Sequence, residues 1–312
     1  MMRALLLALL LLAVPAHAQE LRIVNGFAPG GTADVLARLL AEAMAPTLGS
    51  RPVVETRTGA NGMIAAEQIA RGPADGSAVM VCVMGMVAIA PEMPGAVLPI
   101  DTGRALRGVA TVALSPYGLV VAANGPHRDL AALLAAARAP LGVTYASVGP
   151  GSAPHLAGEL LRQRAGGTMT HVPYRGAAPA ILDILAGRTD FLFISLGDVT
   201  RQIRGGELRL LALGDDSGRA VFPDAPVVGA LVPGVVANTW FGLCGARAMA
   251  DAAAERWAGA IRAALGDAAL AGRLREMGLT PHPEGPAALD ARIAADRARW
   301  GAVIRAGNVR AE

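Results

Sequence analysis

Hydrophobic and polar positions in this chain alternate between two regimes. Short continuous apolar runs read as buried strands, and longer stretches with apolar residues every three or four positions read as amphipathic helices. From residue 20 onward the two take turns: strand at 23–26, helix at 32–48 with Val35, Leu36, Leu39, Leu40 and Met44 on one face, strand at 53–55, helix at 64–71, strand at 78–83. The run at 78–83 is apolar throughout, as in a sheet covered on both faces. From 108 to 122 two apolar segments flank Ser115-Pro116-Tyr117, which reads as a crossing into a second unit. There the alternation resumes with helix 130–137, strand 143–146, helices 155–165 and 179–186, and strands 191–194 and 209–213. Residues 240–244 read as a return, and 250–301 as mostly helix. The pattern predicts two α/β lobes, each a doubly wound sheet with flanking helices and a crevice at its strand ends. Residues 19–115 with 241–312 make the first lobe, and 116–240 the second.

Glycine turns sit where strands hand over to helices. The first is Gly26-Phe27-Ala28-Pro29-Gly30-Gly31-Thr32-Ala33-Asp34, with Thr32 placed as helix N-cap and Asp34 suited to the positive helix end. Such a turn leaves backbone N–H groups free at a helix start, which is an anion site. No Gly-Lys-Ser/Thr follows, and the chain contains no lysine, so a nucleotide phosphate is not the expected anion. Thr58-Gly59-Ala60-Asn61-Gly62 and Ser147-Val148-Gly149-Pro150-Gly151-Ser152 are further turns of this kind, and 171–176 reads as another.

The first eighteen residues follow the plan of a secretory signal. Arg3 supplies the positive end, residues 5–14 the apolar segment, and Ala16-His17-Ala18 the cleavage site. The apolar run is short for a membrane span, and no cysteine near the cleavage point offers a lipid anchor. A mature exported protein starting at Gln19 in the periplasm is expected. The 28 basic residues are all arginine and are scattered, with a formal charge of only +3, which gives nucleic-acid binding no support. A GC-rich coding sequence explains the arginine, alanine and glycine bias. Cys82 and Cys244 lie in separate apolar runs and read either as a disulfide, which an oxidising compartment permits, or as two buried thiols.

In their order and spacing these residues resemble the Bug family, the periplasmic solute-binding proteins of the tripartite tricarboxylate transporter. The resemblance runs through Phe27-x-Pro29-Gly30-Gly31-x-x-Asp34, Val53-Val54-Glu55, Gly59-Ala60-x-Gly62-x-Ile64 and Pro73-x-Asp75-Gly76. It continues through Tyr145-Ala146-Ser147-x-Gly149-x-Gly151-Ser152-x-Pro154-His155-Leu156-Ala157 and His171-Val172-Pro173-Tyr174-Arg175-Gly176-x-x-Pro179-Ala180. Phe222-Pro223-Asp224-x-Pro226 and Trp240-Phe241-Gly242-Leu243 complete it. It implies a two-lobed, type II-like Venus flytrap that captures a small organic acid, works as a monomer, uses no cofactor, and delivers its ligand to a permease of two integral subunits.

The resemblance also implies where ligand sits. Phe27, Gly30, Gly31 and Thr32 form a carboxylate-facing loop, beside Asn61 and Gly62. Asp34 either braces that turn or is an ordinary helix-start aspartate. Ser147, Gly149 and Ser152 face them from the second lobe, unless they form a plain strand-to-helix turn with Ser152 as N-cap. Tyr174, Gly176 and Ala177 line the opposite wall, or Tyr174 packs in the core; Ser195 is a polar residue after a strand. Four features depart from the family's pattern: Asn25-Gly26 before the phenylalanine, Asn61 in place of glycine, Met84 and Met86 in place of small polar residues, and Ile194 in place of a polar one. Methionines beside the ligand point to a longer, more apolar acid.

Two rival functions stand against this reading. A periplasmic hydrolase needs a nucleophile beside a base, but Gly151-Ser152-Ala153-Pro154 is not a Gly-x-Ser-x-Gly elbow, and His155 is placed in packing or capping. The histidines at 127, 155, 171 and 282 lack metal-ligand spacing. A protein that presents its acid to a membrane signalling kinase would have the same two lobes.

Overall fold

The computed structural model describes residues 20–174 and 176–310. The segment expected to be a signal lies outside the described residues. Among the described residues ten strands pair into one continuous sheet that serves two lobes. Strands β1 (Arg22–Asn25), β2 (Val53–Thr56) and β3 (Ala78–Val83) run parallel in the first lobe, joined by helices α1 (Thr32–Leu48) and α2 (Met63–Arg71). Strand β4 (Leu106–Ala122) is 17 residues long and almost wholly buried. The second lobe holds α3 (Leu130–Arg138), β5 (Val143–Ser147), α4 (Ala153–Ala165), β6 (Met169–Pro173), α5 (Ala177–Leu185), β7 (Phe191–Ser195), α6 (Leu196–Arg204) and β8 (Leu208–Leu213). Strand β9 (Asn238–Ala246) returns, followed by α7 (Asp251–Leu265), α8 (Ala268–Glu276), β10 (Thr280–Glu284) and α9 (Pro286–Gly307).

At about 3.3 Å per residue, β4 extends for roughly 55 Å, long enough to belong to both lobes. From Leu106 to Pro116 it pairs with β9, antiparallel; from Tyr117 to Val120 its partner is β7. Strand β8 also pairs with β4, from Gly118 to Ala122, and β10 pairs with it around Ala113 and Leu114. Pro116 falls at the change of partner, where a missing N–H disrupts the ladder least. Each lobe is therefore a mixed sheet: three parallel strands, β2-β1-β3 or β6-β5-β7, extended by antiparallel ones.

Leu36, Leu40 and Met44 of α1 pack with Trp257 and Ile261 of α7 over one face of the first sheet. Helix α9 crosses between the lobes. On the first lobe Trp300 Nε1 donates to Met84 Sδ (3.2 Å), and Asp296 accepts from Trp240 Nε1 (2.8 Å). On the second, the Val303 carbonyl accepts from Gln163 Nε2 of α4 (2.9 Å). No described helix is long and apolar enough to cross a membrane.

Three elements differ from the sequence pattern. Strand β6 occupies 169–173, where the pattern gave a turn from 171; it is an edge strand, half exposed, and so lacks an apolar run. Strand β10 carries Pro281 and Pro283, which mask it, and it survives because it only borders β4. Helix α6 is too polar to stand out. At the start of α1 the N-cap is Gly31, not Thr32, and no side chain caps it.

Cys82 and Cys244 form a disulfide, with Cα atoms 5.8 Å apart, between β3 and its antiparallel neighbour β9. The bond closes 162 residues of chain, including the whole second lobe. Closing so long a loop constrains the unfolded chain. The Cys82→Ala/Cys244→Ala variant is expected to lose about 2–5 kcal/mol in urea unfolding. An unchanged midpoint would show that the pair is not oxidised in the folded protein.

Candidate functional site

The first glycine turn is braced from behind. Buried Asn25 accepts the Phe27 N–H through Oδ1 (3.1 Å) and donates through Nδ2 to the Phe27 carbonyl (2.9 Å) and Asp34 Oδ1 (3.4 Å). Asp34 also accepts the Gly30 N–H (3.0 Å) and two Arg38 N–H groups (3.1 Å each). The Arg38 guanidinium, together with Gly30 and Asn25, holds the Asp34 carboxyl below its usual range against the opposing effect of burial. Asp34 thus fixes the turn and does not line the cleft. Gly30 sits at φ +78, a left-handed conformation that favours glycine. Because Gly31 offers no capping side chain, the Thr32 and Ala33 N–H groups have no acceptor among the described residues.

The second glycine turn packs on the first, backbone to backbone. A Cβ on Gly26 would come 2.7 Å from the Gly62 Cα, which explains the glycine after Asn25. Asn61 takes φ +54, a conformation that asparagine tolerates better than most non-glycine residues. Gly62 lies under the Phe27 ring and the Met86 sulfur.

The facing turn in the second lobe spends three of its N–H donors on itself. Gly149 N–H donates to Ser147 Oγ (3.1 Å), Ser152 N–H to the Gly149 carbonyl (3.2 Å), and Gly151 N–H to His155 Nδ1 (3.0 Å). Ser152 Oγ donates to the Gly149 carbonyl (2.6 Å) and caps α4 by accepting the His155 N–H (3.4 Å). His155 and Ser152 are therefore both committed to the turn, with no ring-to-hydroxyl bond of the kind a nucleophile and base would make. Ser147 Oγ does meet His171 Nε2 at 2.7 Å, but Ser147 is fully buried. The His155 and His171 rings stack at 3.7 Å, nearly parallel.

Between the lobes, at the carboxyl ends of β1, β3 and β5, lies a cavity of about 350 Å³. Phe27, Gly31, Thr32, Asn61 and Ser152 line it, as do Ala28, Ala33, Val83, Gly85, Tyr117, Val148, Ala153, Pro154, Thr239 and Phe241. Gly30, Asp34 and Gly62 of the first turns and Ser147 and Gly149 of the facing turn are not among the lining residues. Met84 and Met86 are corrected most: both are fully buried, with Met84 under Trp300, so neither faces the cleft. Tyr174 turns its hydroxyl to Asp183 Oδ2 (2.7 Å), Gly176 is the N-cap position of α5 before Ala177, and Tyr174, Gly176 and Ala177 are not among the lining residues. Arg175 lies outside the described residues. Ser195 bonds through Oγ to Ser115 Oγ (2.7 Å) where β4 changes partner. The lining residues missed from sequence, above all Val83, Tyr117, Thr239 and Phe241, sit on strands that read only as core. Their one signal was position, at the strand ends beside the crossing.

The stacked histidines give the second wall an acid sensitivity. Burial lowers both rings from 6.5 to about 4, and the charge of His155 adds to this for His171. Unfolding restores the ordinary value, so between pH 6.5 and 4 the unfolded chain binds more protons, and stability falls as pH falls. For His155 alone the loss at pH 5 is about 2 kcal/mol. Urea midpoints at pH 7 and pH 5 should therefore differ, and His155→Gln should shrink the difference. Equal midpoints for the unaltered chain would contradict the neutral stack.

Comparison with known proteins places this geometry. The family model for the tripartite tricarboxylate transporter family receptor, TctC, matches residues 36–309. Protein BugT of Bordetella pertussis (strain Tohama I) is 30% identical over 295 residues, 92% of this chain and 89% of that protein. Among solved structures, R. palustris Rpa4515 with adipate superposes with a TM-score of 0.81 at 27% identity, covering 95% of this chain and 99% of that one. MatC (Rpa3494) from Rhodopseudomonas palustris with bound malate gives 0.77 at 26%, covering 92% and 99%. With two α/β lobes facing each other across a cavity lined by glycine turns, this chain belongs to the tripartite tricarboxylate transporter receptor (TctC) family of periplasmic solute-binding proteins.

Proposed function

We propose that this protein captures a small organic acid between its lobes and hands it to a tripartite tricarboxylate transporter-type permease of two integral membrane subunits. One observation carries the reading: the uncapped N-terminus of α1, with the free N–H groups of Thr32 and Ala33, opens into the interlobe cavity. A helix N-terminus carries about half a positive charge, and backbone donors there suit a carboxylate. The adipate and malate bound by the two neighbours support the same ligand class. The role is binding and release, without catalysis. Residues 1–18 act as an export signal cleaved after Ala18, leaving the mature protein in the periplasm.

We divide the lobes at the β4 change of partner, into 19–115 with 241–312 and 116–240. A ligand touching both walls favours closure of one lobe on the other. Each chain carries both walls, so a monomer suffices.

The test removes one donor. Thr32→Pro deletes a single N–H at the first helical position, where proline is tolerated, and Gly31 before it already has a compatible extended backbone (φ −74, ψ 166). Calorimetry against an acid panel that includes adipate and malate should detect binding that the matching amides do not show. Thr32→Pro should weaken that binding roughly ten- to a hundred-fold, the scale of a hydrogen bond to a charged group. Thr32→Val, which keeps the N–H, isolates the backbone effect. Amides binding as well as acids, or an unchanged Thr32→Pro affinity, would refute the reading.

A further inference from the structure

A second cavity lies behind the glycine turn of the second lobe. The turn that lines the cleft with Val148, Ser152, Ala153 and Pro154 also lines a separate hollow of about 520 Å³, there with Pro150 and His155. Strand β5 adds Tyr145 to this hollow, α4 adds Glu159 and Arg162, and β6 adds His171. The chain leaving α9 closes its rim. Gly307 permits the approach, since a Cβ there would come 2.3 Å from Glu159 Oε1. Asn308 (φ +49) then ends the helix in a left-handed turn, and Arg310 lines the hollow.

Two deep side chains here present unused donors. His155 is 7% exposed; its Nδ1 accepts the Gly151 N–H, so the neutral ring carries its proton on Nε2, which bonds no described residue. Tyr145 is 2% exposed, and its hydroxyl bonds no described residue either. Neither atom is sealed inside the protein, so each opens on the hollow that its residue lines. Burial keeps the tyrosine hydroxyl protonated and the imidazole neutral at pH 7.

The one carboxylate of the lining is already taken. Glu159 accepts from Arg162 Nε (2.7 Å) and Nη2 (2.6 Å) and from Gln163 Nε2 (2.7 Å). Arg162 Nη1 bonds no described residue, and Arg310 makes a single long bond, from Nε to Asn308 Oδ1 (3.4 Å). Two guanidinium groups against one carboxylate leave an excess of positive charge. The histidines and Glu159 form no group able to hold a metal ion among the described residues.

We propose that this hollow is a second binding site, separate from the interlobe cleft, for a phosphate-type oxyanion, free or carried on a small organic molecule. His155 Nε2 and the Tyr145 hydroxyl supply neutral donors at its base. Arg162 and Arg310 supply charged ones, whose bonds to an oxyanion are the stronger kind. Donors that come from a strand, a helix and the chain beyond α9 suit a tetrahedral anion better than a planar carboxylate. The site stands independently of the acid-binding reading of the cleft.

The mature chain, isotope-labelled at its histidine nitrogens, reads the site directly when inorganic phosphate is titrated in at pH 7. The His155 and His171 ring signals should shift to saturation, while those of His127 and His282 stay still. Acetate and glycerol should produce no such shift. Glycerol 3-phosphate binding tighter than phosphate would assign the site to a phosphorylated molecule, and the reverse order to the free anion. Tyr145→Phe removes a hydroxyl that bonds nothing in the fold and should weaken phosphate about ten-fold, the scale of a hydrogen bond to a charged group. Arg310→Gln should weaken it about two- to five-fold, as for an exposed ion pair. Thr32→Pro, which alters the cleft, should leave phosphate binding unchanged. A shift that never saturates or moves all four histidines alike means an adventitious ion only and would overturn the proposal. So would acetate binding as well as phosphate, an affinity indifferent to Tyr145→Phe, or loss of phosphate binding in Thr32→Pro.

Discussion

Both walls of the cleft hang from one strand. Strand β4 runs from a ladder with β9 into a ladder with β7 without leaving the extended conformation, so the lobes share a backbone element rather than a flexible linker. A shared strand fixes where each lobe's parallel trio ends relative to the other. The glycine turns at the ends of β1 and β5 are thereby brought face to face. Tyr117, the first residue beyond the change of partner, falls between them for the same reason. The Ser115–Ser195 hydroxyl pair bonds across the point where one ladder gives way to the next.

Much of this frame was legible in the pattern of apolar positions. The helix at 32–48 and the strand at 78–83 emerge with the expected bounds, because a strong 3.6-residue period and an unbroken apolar run are strong local signals. Edge strands were not legible: β6 is half wet and β10 holds two prolines, so each owes its conformation to a neighbour rather than to its own composition. The cysteines were ambiguous because pairing depends on β9 lying next to β3, a fact of topology.

The site was legible on one side only. Glycine and proline spacing revealed the turns, because backbone shape is written in those residues. What the turns do with their N–H groups is not. Asp34, Ser147 and Gly149 are equally prominent in sequence, yet each is consumed in holding a turn. Met84 and Met86 illustrate the opposite error: residues beside a loop in sequence point to the core behind it.

The insertion of β9 between β3 and β4 has a consequence for the order of assembly. As the chain is made or threaded N-terminus first, the second lobe is contiguous and can close while the first sheet still lacks an inner strand. That gap is filled only when residues 238–246 arrive, and α9 later still. Cys82 must wait through this interval as a thiol. With two cysteines in the chain there is no wrong partner within the molecule for it to take, so the delay carries no risk of internal mispairing.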